Sequence, residues 1–142
     1  MNASFTIKGD QSILTIEILK RRSNDSNDTF DKNWILTHIE LLIPGYKVSF
    51  NGDMQTTDID RFLKETKQIY EKISGNTELT TLENPIHLVG KMTKTGKICW
   101  NGKTVYPIGF GAMLEFEFES DQSYLPVLIA ELEKVLNVYP VI

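Results

Sequence analysis

A chain of 142 residues has the size of one domain and can bury roughly 68% of the surface its unfolded form exposes, so folding needs no disulfide or metal staple. Hydrophobic residues make up 41% and charged residues 24%, which excludes a disordered chain, and the longest apolar tract, 35–43, is broken by Thr37, His38 and Glu40, far short of the ~20 residues that cross a bilayer. The formal net charge of −4 argues against nucleic acid as a partner, and the single cysteine, Cys99, rules out an intrachain disulfide or a thiolate metal cluster.

From Ser4 to Arg21, Phe5 and Ile7 and then Leu14, Ile16 and Ile18 alternate with polar neighbours, which predicts two strands joined at Gly9-Asp10. Arg22 to Lys32 is rich in Ser, Asn and Asp, whose side chains bond to nearby backbone, and reads as a loop. Asn33 to Ile43 and Tyr46 to Met54 read as an antiparallel pair turning at Pro44-Gly45. Thr56-Thr57-Asp58 predicts a helix N-cap, after which Ile59, Phe62, Leu63, Ile69, Tyr70 and Ile73 share one face up to a stop at Ser74-Gly75-Asn76.

Strands return at Leu79 to Leu82, Ile86 to Met92, Ile98 to Trp100, Val105 to Ile108 and Ala112 to Glu119, with Asn101-Gly102 read as a hairpin turn. In the last of them Leu114, Phe116 and Phe118 alternate with Glu115, Glu117 and Glu119, so one face is buried and the other meets water or a partner. Leu125, Leu128, Ile129, Leu132, Val135, Leu136 and Tyr139 make a second amphipathic helix that tolerates Pro126 in its first turn. The expected class is α+β: a largely antiparallel, twisted sheet of about six to eight strands with two amphipathic helices packed on one face. A single domain over residues 1–142 is expected, and the order of strands, helix, strands, helix also fits a duplication.

No catalytic constellation is visible. His38 and His87 lie mid-strand and read as structural histidines, and Trp34 and Trp100 as core anchors. Glu115, Glu117 and Glu119 stand alternately on one strand face, a solvated row without the cleft that paired acids need for general acid–base work. Asp25, Asp28 and Asp31 lack the alternate spacing and central glycine of a calcium loop. Lys91, Lys94, Lys97 and Lys103 make a basic hairpin suited to pairing with the glutamate row. Gly109 and Gly111 flank Phe110 without a phosphate- or dinucleotide-binding fingerprint, so no cofactor is expected. The N-terminal residues lack the basic and then apolar pattern of a secretory signal, which makes cytoplasmic residence the expectation.

Three stretches carry a family resemblance. Asp31-x-Asn33-Trp34-Ile35 enters a strand; Tyr46 to Gly52 continues through Thr57-Asp58-Ile59 into a helix with Phe62 and Leu63; Leu114-x-Phe116-x-Phe118-x-x-Asp121-Gln122-x-Tyr124-Leu125 precedes a leucine-rich helix. Together they resemble the WapI-type bacterial immunity proteins, small proteins paired with polymorphic contact-dependent toxins. The resemblance implies a non-enzymatic protein, a monomer or weak homodimer, that binds and neutralises a cognate toxin domain. It supplies no residue roles, so the candidate partner-binding residues follow from charge: Glu115, Glu117, Glu119 and Asp121, with Asp25 and Asp28. A toxin with a basic active site, such as a nuclease, is steered toward such a surface. The alternative is an interaction or small-ligand module; a ligand binder is expected to hold a deep apolar pocket with inward polar groups such as His38 or His87.

Overall fold

The computed structural model describes residues 3–22, 31–83 and 85–142. β1 (Ala3–Gly9), β2 (Ser12–Arg21), β3 (Trp34–Ile43) and β4 (Tyr46–Gln55) pair in that order as an antiparallel meander, followed by α1 (Thr56–Lys72). β5 (Asn76–Thr80), β6 (Ile86–Met92), β7 (Lys97–Tyr106) and β8 (Ala112–Asp121) form a second meander, followed by a single 3-10 turn and α2 (Leu125–Val138). The α+β class and the antiparallel pairing are as expected. The strands divide into two sheets of four rather than one larger sheet, because α1 carries the chain away from β4 and β5 pairs with β6. Each sheet has one apolar face, and two such faces close on each other and on the helices more completely than two helices cover one eight-stranded sheet.

One hairpin expectation is corrected. Asn101-Gly102 is not a turn; it lies inside β7, where Gly102 pairs with Leu88 on one side and Phe116 on the other. A β-carbon at Gly102 would sit 2.5 Å from the Phe116 ring and 2.9 Å from Leu88, so the glycine makes room for its cross-strand neighbours rather than bending the chain. The turns that join β6 to β7 and β7 to β8 are residues 93–96, with Gly96 at φ 81°, and residues 107–111. The helix start also moves: Gln55 is the N-cap, and Thr56 is the first helical residue.

The core is continuous across the two halves. Phe62 on α1 is fully buried, its ring 6.3 Å from Phe5 of β1 and 6.2 Å from Trp100 of β7. Trp100 is buried as expected, its Nε1 donating to Ser120 Oγ, while Trp34 is only half-buried. Among the described residues every buried side-chain polar atom has a partner, and no helix is long and apolar enough to cross a membrane.

The helices exchange places. α1 follows the first sheet but runs along β5 of the second, and α2 follows the second but packs on β1 of the first. Each guards an edge with a glutamate: Glu65 Oε1 accepts from the Glu78 N–H of β5 at 2.9 Å, and Glu131 Oε1 accepts from the Thr6 N–H of β1 at 3.0 Å. Arg61 donates to the Thr80 carbonyl, and Ser120 Oγ to the Lys8 carbonyl. Unpaired backbone groups on edge strands invite intermolecular pairing, and these side chains occupy them.

Candidate binding surface

The outward face of the second sheet is built by register. Because side chains alternate along a strand, Phe116 and Phe118 enter the core while Met113, Glu115, Glu117 and Glu119 point away from it, all four exposed. Across from them on β7, Lys103 faces Glu115, Asn101 faces Glu117, Cys99 faces Glu119 and Lys97 faces Asp121. Lys97 Nζ donates to Asp121 Oδ2 at 3.4 Å. The basic hairpin therefore offsets the two ends of the carboxylate row and leaves Glu117 and Glu119 opposite neutral residues.

The structure brings four of the six candidate residues onto one strand. Glu115, Glu117 and Glu119 stand free in solvent, whereas Asp121 already has structural work: its Oδ1 accepts from the Ser123 N–H at 2.9 Å and caps the turn before α2. That bond, together with the Ser123 side chain and Lys97, holds the Asp121 carboxyl below the ordinary aspartate range. Asp25 and Asp28 lie outside the described residues.

The histidines occupy other faces. His38 bonds Asn51 Oδ1 through Nδ1 at 2.7 Å and Ser49 Oγ through Nε2 at 3.1 Å, a cross-strand network on the outside of the first sheet. His87 Nε2 meets Glu78 Oε1 at 2.7 Å, and the hydrogen bonds from Thr80 and His87 lower the Glu78 carboxyl. An apolar hollow of about 250 Å³ opens between β1, Trp100 and α2, lined by Ile7, Leu125, Val127 and Leu128 together with Lys8 and Glu131. Neither histidine lines it. Cys99 is half-buried, 3.7 Å from Asn101 Nδ2. Among the described residues no group of three or more His, Cys, Asp or Glu is placed to hold a metal ion.

Asp58 is buried at the start of α1, where its Oδ2 accepts from the Gln55 N–H at 3.0 Å and its Oδ1 from Arg61. Burial raises its carboxyl above the ordinary value despite the opposing Gln55 bond and Arg61 charge. A raised folded-state pKa means the folded chain takes up this proton before the unfolded chain does, so the group adds stability on the acid side and loses it as pH rises through the raised value. Between about pH 7 and about pH 4, the thermal midpoint of wild type relative to Asp58→Asn is expected to shift in favour of wild type as pH falls. A difference that stays flat across a pH series of melting curves contradicts this.

Sequence reasoning missed an apolar surface at the end of the same hairpin. Tyr106, Ile108, Phe110 and Met113 are 53%, 47%, 76% and 57% exposed. The sequence pattern predicts a strand ending at Ile108, whereas β7 ends at Tyr106. The signal was there to read: glycines alternate with large apolar residues, Ile108-Gly109-Phe110-Gly111, a pattern that suits neither a buried strand nor a helix.

Over residues 5–140 the chain matches the model of the Immunity protein WapI-like family. It belongs to that family. The match takes in β8 with its glutamates, the apolar turn and both helices. No curated protein matches the chain. Among solved structures it is similar to one described as the plant transcriptional regulator PBF-2, with a TM-score of 0.59 and 11% sequence identity over 98% of this chain and 82% of that one. At that identity the likeness concerns the fold alone.

Proposed function

We propose that this member of the WapI-like family is a non-enzymatic immunity protein that works in the bacterial cytoplasm by binding and neutralising a cognate toxin domain. The observation that carries the reading is the family match over nearly the whole chain. The exposed carboxylates of β8 support it, since a row of charge without compensating lysines at Glu117 and Glu119 suits recognition of a basic partner. A small apolar ligand in the hollow between β1 and α2 is the second reading, favoured by the lining of Ile7, Trp100, Leu125 and Leu128.

Changing Glu115, Glu117 and Glu119 together to lysine is expected to leave the fold intact, because all three side chains are in solvent. Association with the toxin domain encoded beside the gene should slow at least about 10-fold at low salt, and the gap should close as salt screens the charges. Stopped-flow association across a salt series and growth of toxin-expressing cells are the measurements. Unchanged rates and unchanged protection remove the strand from the interface, and absence of binding by wild type removes the immunity reading.

A further inference from the structure

We infer that the β7–β8 turn, Tyr106 to Met113, is the apolar anchor through which this chain grips its protein partner, and that the partner receives it in an apolar pocket edged by lysine or arginine. The inference rests on the immunity reading and names the part of the surface that holds the toxin domain. Its starting point is the four large apolar side chains within eight residues, each about half exposed or more. Exposed apolar residues elsewhere include Leu82 between β5 and β6, Val127 on α2 and Val138, Val141 and Ile142 at residues 138–142; the turn differs from these in carrying its apolar side chains next to the exposed carboxylates of β8.

The turn is also built to hold its shape. Phe110 N–H donates to the Pro107 carbonyl at 3.3 Å, and Gly109 and Gly111 adopt φ values of 89° and 108° that other residues rarely take. A β-carbon at Gly111 would lie 2.5 Å from Pro107 Cδ and 2.7 Å from the Tyr106 carbonyl oxygen, so the backbone packs on itself there. At the base, the Tyr106 ring lies 5.0 Å from the buried Phe50 of β4. Aromatic side chains presented on a fixed backbone lose little freedom on binding, and buried aromatic anchors dominate interface energetics.

Charge selects the occupant. Met113 stands on the same outward face as Glu115, Glu117 and Glu119, so the apolar tip runs directly into a carboxylate rim, and of the three glutamates only Glu115 faces a lysine. A second copy of this chain bringing the same strand would set carboxylate against carboxylate, whereas a cationic protein surface around an apolar pocket complements both parts.

The test is calorimetric binding of the full chain to the purified toxin domain encoded beside its gene, with Phe110→Asp and Ile108→Asp against Leu82→Asp, a 68% exposed control between β5 and β6. A melting curve for each variant establishes folding, and Phe110→Ala serves if an aspartate variant does not fold. Weakening of Kd by at least about 30-fold for the tip variants, with the control within about 3-fold, is the expected result. Tip variants that bind as tightly as wild type overturn the anchor while leaving the immunity reading standing. No binding by wild type overturns both. A wild-type dimer in sedimentation that Phe110→Asp dissociates overturns the toxin as occupant and assigns the tip to self-association.

Discussion

Phe62→Ala is expected to lower the thermal midpoint by about 10–20 °C, the consequence of a loss of about 3–5 kcal/mol in a chain of this length. The size of the effect follows from position. Phe62 is fully buried on α1, and its ring touches Phe5 in the first sheet and Trp100 in the second. Truncation removes both contacts and leaves a void between three elements that are fixed by their own hydrogen bonds, so collapse to refill it is limited. The same position shows why the loss should appear in one transition. A residue that touches both sheets cannot be weakened on one side alone, and circular dichroism and tryptophan fluorescence of Phe62→Ala should report a common, earlier midpoint. A drop of only a few degrees would mean that the sheets meet without α1 between them.

Asn33→Leu should cost about 1–3 kcal/mol although it adds apolar surface to a buried site. Asn33 is 3% exposed and joins three parts of the chain: its Oδ1 accepts from Thr56 Oγ1, in the first turn of α1, at 3.0 Å and from the Ile142 N–H at 2.8 Å, while its Nδ2 donates to the Ile142 carbonyl at 3.3 Å. Arg21 fastens the same region, donating to the carbonyls of Lys32 and Pro140. Leucine leaves the Thr56 hydroxyl without this acceptor in a buried place and releases Ile142 from the entry to β3. Denaturant titration of wild type and Asn33→Leu measures the loss, and an unchanged free energy of unfolding would contradict the role of the amide as a tie. The finding also gives physical content to the Asn33-Trp34 pair that helped carry the family resemblance: its asparagine ties the residue before β3 to α1 and to Ile142.

Most individual elements were legible because each obeys a local rule. Alternation in Phe5 and Ile7, in Leu14 to Ile18 and in Leu114 to Phe118 reports a strand with one buried face, and that burial pattern is what β1, β2 and β8 display. The three-and-four spacing of Ile59, Phe62, Leu63 and Ile69 likewise matches the buried stripe of α1, whereas Tyr70 and Ile73, expected on the same face, are exposed where the helix ends. Partition into two sheets was not legible, since period-two patterning is the same whichever strand lies alongside. Asn101-Gly102 misled for a related reason: the pair has turn chemistry locally, but the space beside Gly102 is claimed by Phe116 from another strand. Of the candidate surface, the outward direction of Glu115, Glu117 and Glu119 could be read from alternation, whereas the Asp121 cap depended on how the chain turns into α2. The apolar tip went unread because Ile108 reads as the end of a strand and Gly109-Phe110-Gly111 only as a segment without a phosphate-binding fingerprint, and neither reading asks whether the side chains are exposed.

The exchange of helices has a further consequence. Each ββββα unit lacks its own lid: the helix that guards β1 is the one encoded after β8, and the helix that guards β5 is the one encoded after β4. Half of this chain by itself would bare an edge strand and the apolar stripe of a helix at the same moment, and two such halves would find closure by trading helices. The polypeptide is in effect a domain-swapped pair written as one sentence, in which neither clause closes without the other.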